Sequence, residues 1–188
     1  MTKTTILASS VLTATGLYLY VFLLSDAADP LKSWINASAL LAFSYFLITF
    51  SASSINYWIA NQFSLRLLRH RRYIGLGFAI TQTFHLFSFT YFYLVSEEQL
   101  DWLTIIGGGL AYVLLYAMVA TSNGSMIKKL GTKRWKRLHS TGMHYFAFIF
   151  LVTFIIRFID TDFSPTYGAY ALLIVLVYVM RLMKTSRV

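Results

Sequence analysis

Residues 73–95 read YIGLGFAITQTFHLFSFTYFYLV, Tyr73 to Val95, with no charged side chain and a histidine, His85, near the centre. A charge-free run of this length matches the ~20 residues that an α-helix needs to cross a bilayer. An imidazole at such a depth costs free energy unless it serves a partner. Helical spacing puts Thr81 and Gln82, His85 and Ser88 on one stripe, three or four residues apart. In a lipid-embedded helix, a polar stripe must face protein, a cofactor or water.

Similar apolar stretches cover residues 5–25, 36–60, 102–122, 139–159 and 167–183. The chain has 188 residues, of which 57% are hydrophobic and 12% charged. Its mean hydropathy is +0.63. A soluble domain of this size could not bury so much apolar surface. The sequence therefore predicts an all-α integral membrane protein, a six-helix bundle forming a single transmembrane domain over residues 1–188. The N-terminal stretch Thr5–Ser25 is longer than a signal-peptide core and has no clear small-x-small cleavage site, so it is read as the first span. Asp29-Pro30 marks a turn after it, and Pro165 precedes the last span. Trp34, Tyr57, Trp58, Trp102 and Trp135 sit near run ends, as interfacial aromatic belts do.

The net charge of +9 is explained by its distribution. Fourteen of the 16 basic residues fall on one side: Lys3, the Arg66–Arg72 loop, the Lys128–Arg137 loop, and Arg181, Lys184 and Arg187. All seven acids, Asp26, Asp29, Glu97, Glu98, Asp101, Asp160 and Asp162, fall on the other. Only Lys32 and Arg157 break the partition. The positive-inside rule then places both termini in the cytoplasm, and the basic loops against anionic lipid. Short basic loops flanking spans argue against a nucleic-acid partner. The expected location is a bacterial inner membrane. Absence of cysteine excludes disulfides, thiolate metal sites and iron–sulfur clusters.

The remaining histidines differ in depth. His70 lies in the basic loop and reads as solvated. His139 is two residues past Arg137, near the interface, and His144 is seven past it, ~10 Å up the helix. They are five apart, about 140° around the axis, so they need not share a face. His85 is thirteen residues past Arg72, ~20 Å along its helix. Facing histidines from different helices suit a metal or a haem iron, with His85 and His144 as the metal candidates. Arg157 is a lone cation near the far end of its span, able to snorkel, to pair with Asp160 or to hold a haem propionate. Gly107-Gly108-Gly109, and Gly75 with Gly77, permit close approach of another helix or of a flat macrocycle. No phosphate loop, nucleotide fingerprint or nucleophile–base motif is present. No acid lies inside a span, which disfavours a carboxylate-driven pump or a histidine-relay transporter.

Two motifs carry a family resemblance. Arg71-Arg72-Tyr-Ile-Gly75-Leu-Gly-Phe-Ala79-Ile-Thr-Gln-Thr-Phe-His85-Leu resembles the third span of the ferric reductase-like transmembrane domains, in their MsrQ (YedZ) branch. Leu130-Gly131-Thr-Lys-Arg-Trp135-Lys-Arg137-Leu138-His139, preceded by Thr121-Ser122, resembles the fourth loop and the start of the fifth span. The resemblance covers about residues 65–160. It implies a six-helix bundle holding b-type haem between spans three and five. It also implies passage of electrons across the membrane from a cytoplasmic flavin (FMN) or quinol donor to an acceptor on the far side. In that branch the acceptor is a periplasmic molybdenum enzyme that repairs methionine sulfoxide. The cofactor-binding candidates are then His85, His144, His139, Arg157 and Arg72. The chain would be an oxidoreductase electron-transfer subunit without a nucleotide-binding domain, served by separate donor and acceptor proteins. One position departs from the pattern: the second span-five histidine of the branch is replaced by Val152. The alternative is a haem-poor or haem-free structural subunit of a larger membrane complex on the same scaffold.

Overall fold

The computed structural model describes residues 3–96 and 98–185. The predicted topology signals at Glu97 and Arg187 lie outside the described residues. The described chain is helical, with no strand. Its elements are α1 (Lys3–Leu19), continued by a π-helical turn over Tyr20–Leu24, then α2 (Pro30–Ile59), α3 (Gln62–Val95) and α4 (Trp102–Ala120), followed by α5 (Gly124–Leu130), α6 (Thr132–Asp160) and α7 (Pro165–Thr185).

Several helix limits are wider than the apolar runs, for local reasons. Asp29 lies in the bend that joins the first two spans and also caps α2: its Oδ1 accepts from the Lys32 amide at 3.0 Å, and Pro30 occupies the first turn. Arg66–Arg72 are not a loop but the opening turns of α3, where the His70 ring nitrogen donates to the Arg66 carbonyl at 2.8 Å. The Lys128–Arg137 segment is not a loop: it takes in the end of the short helix α5 and the opening turns of α6. Asn123 caps α5 by accepting from the Met126 amide at 2.8 Å. Gly131, at φ +80°, ends α5 in the left-handed region with its amide donating to the Ile127 carbonyl at 3.0 Å.

Among the described residues, five helical stretches are long and apolar enough to cross a membrane: Lys3–Leu24, Pro30–Ile59, Trp102–Ala120, Thr132–Asp160 and Pro165–Lys184. The sixth expected span lies in α3, which is long enough, at 34 residues, but is diluted by Thr81, Gln82, Thr83, His85, Ser88 and Thr90. Large apolar side chains are widely exposed on α4 and α7, Trp102 at 78%, Leu103 at 84% and Leu182 at 68% among them. Such surface belongs against lipid chains. The protein is a multi-pass integral membrane protein.

The chain divides into two compact units: Met1–Ala52 with Gln62–Asp101, and Ser53–Asn61 with Trp102–Val188. In the first, α1 packs on α3. Gly77 is the point where both neighbours press on α3. A Cβ there would lie 3.0 Å from the Tyr45 ring of α2 and 3.4 Å from Ser10 Cβ of α1. The core beside it is aromatic: Phe46 stands 5.2 Å from Phe50 and 5.6 Å from Phe78, centroid to centroid. Arg71 Nε donates to the Thr49 carbonyl at 3.0 Å, tying the basic end of α3 to α2. Lys32, a basic residue among acids, lies 3.9 Å from Asp29 and 3.7 Å from Glu98. Its 58% exposure makes these pairs weak, yet they account for its place.

In the second unit, α6 packs on α4, α5 and α7. Gly107 faces α6, where Tyr145 Oη donates to its carbonyl at 3.0 Å and Ile149 is the nearest side chain. Gly108 and Gly109 meet nothing within 4 Å. The triplet thus contributes one packing glycine. Gly142 is pressed harder, since a Cβ there would fall 2.6 Å from Met118 Sδ. Phe154 and Tyr170 join α6 to α7 at 5.2 Å, and Trp58 Nε1 donates to the Met180 carbonyl at 3.2 Å.

Gly77→Val should lower the stability of detergent-solubilised protein by about 1–3 kcal/mol, because the added carbons overpack the α1–α2–α3 contact. Gly109→Ala, which meets open space, should leave the melting temperature unchanged or raise it slightly.

Candidate functional site

The predicted polar stripe of α3 faces protein. Thr81 is 1% exposed, Gln82 7% and Ser88 0%, while His85 is half-buried. Thr81 returns its hydroxyl to the carbonyls of Gly77 and Phe78, at 3.1 and 3.0 Å. The partner of His85 comes from α2. Ser38 Oγ lies 3.0 Å from His85 Nδ1 and 2.8 Å from Ser88 Oγ. Ser88 Oγ in turn donates to the His85 carbonyl at 2.8 Å, and Ser38 Oγ to the Ile35 carbonyl at 2.9 Å. The Phe89 ring, one turn along, stands 6.2 Å from the imidazole. His85, Ser38 and Ser88 therefore form one hydrogen-bonded cluster within the first unit.

Ser38 escaped the sequence reading, and no signal in α2 would have selected it. That helix carries other hydroxyls that fold back onto their own turn: Ser44 on the Leu40 carbonyl and Thr49 on the Tyr45 carbonyl, both at 2.8 Å. Such back-bonding satisfies a hydroxyl in an apolar medium without any other helix.

The two α6 histidines lie in the second unit and face different helices, as their 140° separation implies. His144 Nδ1 is 3.1 Å from Tyr178 Oη of α7, and that hydroxyl also approaches the His144 carbonyl at 3.4 Å. His139 turns to the end of α4, its Nε2 3.2 Å from Thr121 Oγ1. Trp135 lies tilted against the His139 ring at 4.4 Å and donates through Nε1 to the Thr121 carbonyl at 3.1 Å. The Thr121 hydroxyl donates to the Ala117 carbonyl at 2.8 Å, so the bond to His139 needs its proton on Nε2. That makes His139 part of a clamp between α4 and α6 and occupies the nitrogen that would most simply ligate a metal. Val152 is half-buried further along α6.

The remaining candidates are peripheral. Arg72 is exposed, with its guanidinium 5.8 Å from the Tyr73 ring centroid, and Lys3 stands over the same ring at 5.7 Å. Arg157 is half-buried, and no ion pair joins it to Asp160 among the described residues.

These side chains can be compared with the demands of a metal or haem. Among the described residues, no three His, Cys, Asp or Glu side chains gather into a metal-binding group. A porphyrin supplies four nitrogens of its own and asks the protein for one or two axial donors. A half-buried imidazole in a membrane helix, with one ring nitrogen already engaged by a serine, suits that smaller demand.

No family model and no solved structure matches the chain. A curated relative from Klebsiella pneumoniae (strain 342), the haem-binding subunit MsrQ of a protein-methionine-sulfoxide reductase, is 29% identical over 125 residues. The match takes in 61% of this chain and spans 59% of the relative's length. The chain is thus similar, over most of its length, to a protein named for binding haem.

Proposed function

We propose that this chain is a haem b-binding subunit that passes electrons across a bacterial inner membrane. In this reading it is a single six-span transmembrane domain with α3 as the sixth crossing and both termini cytoplasmic. The observation that carries the proposal is His85, an imidazole within a charge-free helical run, tethered through Nδ1 to Ser38. The likeness to a haem-binding subunit supports it. When bound, haem b supplies a one-electron carrier whose iron alternates between ferric and ferrous states.

The chain's own residues would divide the work as follows. His85 would hold the haem iron through its imidazole. His144 of α6 is the further candidate ligand, with Tyr178 at its Nδ1, and Nε2 of His139 is engaged by Thr121. Arg157 offers a cation to a propionate near the acidic end. Arg72 and the other basic residues opening α3 present positive charge to an acidic donor protein or to the phosphate of FMN. A quinol is the alternative donor. The acceptor, a separate protein, sits on the opposite side.

The alternative is a haem-free structural subunit of a larger complex, and Val152 is the observation that favours it. Colour separates the two. Protein purified from haem-replete cells should be red, with a Soret band that shifts on dithionite reduction, and His85→Ala should lose most of that band. A colourless preparation would sink the electron-transfer reading.

Carbon monoxide tests the second ligand. With a second residue on the iron besides His85, the reduced protein should resist carbon monoxide. Ready binding by the unaltered protein would instead leave His85 as the single histidine ligand.

A further inference from the structure

The cluster around His85 contains more hydrogen-bond contacts than hydroxyl protons. Four contacts meet there: Ser38 Oγ with the Ile35 carbonyl at 2.9 Å, with His85 Nδ1 at 3.0 Å and with Ser88 Oγ at 2.8 Å, and Ser88 Oγ with the His85 carbonyl at 2.8 Å. The two carbonyls only accept, and each serine has a single proton to give. With Nδ1 bare, two protons must serve four contacts. With a proton on Nδ1, three contacts are made: Nδ1–H donates to Ser38 Oγ, Ser38 donates to the Ile35 carbonyl, and Ser88 donates to either acceptor. Ser38 Oγ has the two lone pairs this requires. Ser38 is 3% exposed and Ser88 0%, so water is poorly placed to make up the shortfall.

We propose that Ser38, backed by Ser88, is a positioning residue that holds His85 in the Nδ1-protonated tautomer and so keeps the ligating lone pair on Nε2. Ser38 touches no iron in this scheme; it acts through the imidazole. The inference rests on the haem reading above and adds to it the residues that prepare the ligand. A histidine whose second nitrogen donates a hydrogen bond is a more basic ligand, and loss of the acceptor typically costs 10–100-fold in metal affinity. A more basic imidazole favours ferric over ferrous iron, so removing the acceptor should raise the reduction potential.

The test uses the full chain, purified with haem in detergent, and follows both midpoint potential and haem dissociation. Ser38→Ala should raise the midpoint potential and weaken haem retention by about 10-fold or more. Ser38→Thr keeps a hydroxyl and should restore both values towards those of the unaltered protein. Ser88→Ala, which leaves Ser38 in place, should shift the potential in the same direction by less. That variant carries the test if Ser38→Ala fails to fold. A purely structural role for the serines would lower the melting temperature and leave the potential of the retained haem unmoved. An unmoved potential in Ser38→Ala, or in Ser88→Ala where that variant stands in, overturns the proposal, as does failure of Ser38→Thr to rescue. His85→Ala is the control that separates the two levels. Loss of haem there with no effect of the serines sinks only the serine inference. Full haem retention there sinks the assignment of His85 itself.

Discussion

Polar groups inside hydrocarbon have no water to fall back on, and that shortage organises this protein. Most buried hydroxyls settle it locally. Ser10 bonds the Leu7 carbonyl at 2.7 Å and Thr83 the Ala79 carbonyl at 2.8 Å, each within its own helix. The informative side chains are those that reach another helix. Ser38 reaches His85, Tyr145 reaches the Gly107 carbonyl, Trp135 reaches the Thr121 carbonyl, and Trp58 reaches the Met180 carbonyl. Each of these bonds specifies a helix pairing that apolar packing alone would leave open, since lipid tails and leucine side chains are alike in polarity.

That distinction also explains what could be read from residue order. The stripe of Thr81, Gln82, His85 and Ser88 was legible because its three- and four-residue spacing is a property of one helix, and three of these side chains are buried as a stripe should be. Ser38 was not legible, since its role depends on α2 lying beside α3 at one height. The Gly131 break, the Asn123 cap and the seven-residue α5 between them were hidden by lysines that read as loop. The Arg66–Arg72 segment misled in the same way, because charge density says where a chain meets water but not whether it stays helical there. Lys32, an exception to the charge partition, is explained by acids that only the fold brings near it.

The histidines, similar in sequence, occupy three chemical settings. His139 is held through Nε2 in a clamp with Thr121 and Trp135, whereas His85 and His144 are each held through Nδ1, by Ser38 and Tyr178. Which nitrogen meets a given hydroxyl is a matter of that hydroxyl's other commitments as much as of the imidazole itself. Sequence motifs register the histidine and not this bias.

The unbroken length of α3 has a further consequence. A helix of 34 residues is about 51 Å long, well beyond the ~30 Å hydrocarbon slab. It works as a ruler: the interval between Arg72 and His85, ~20 Å along the axis, is set by covalent geometry and cannot shorten without breaking the helix. The packed rings of Phe46, Phe50 and Phe78 belong to the same unit as this interval. Whatever docks at the arginine-bearing end meets a fixed separation from the half-buried imidazole, so the rate of any communication between them is a property of the backbone before it is a property of the partner.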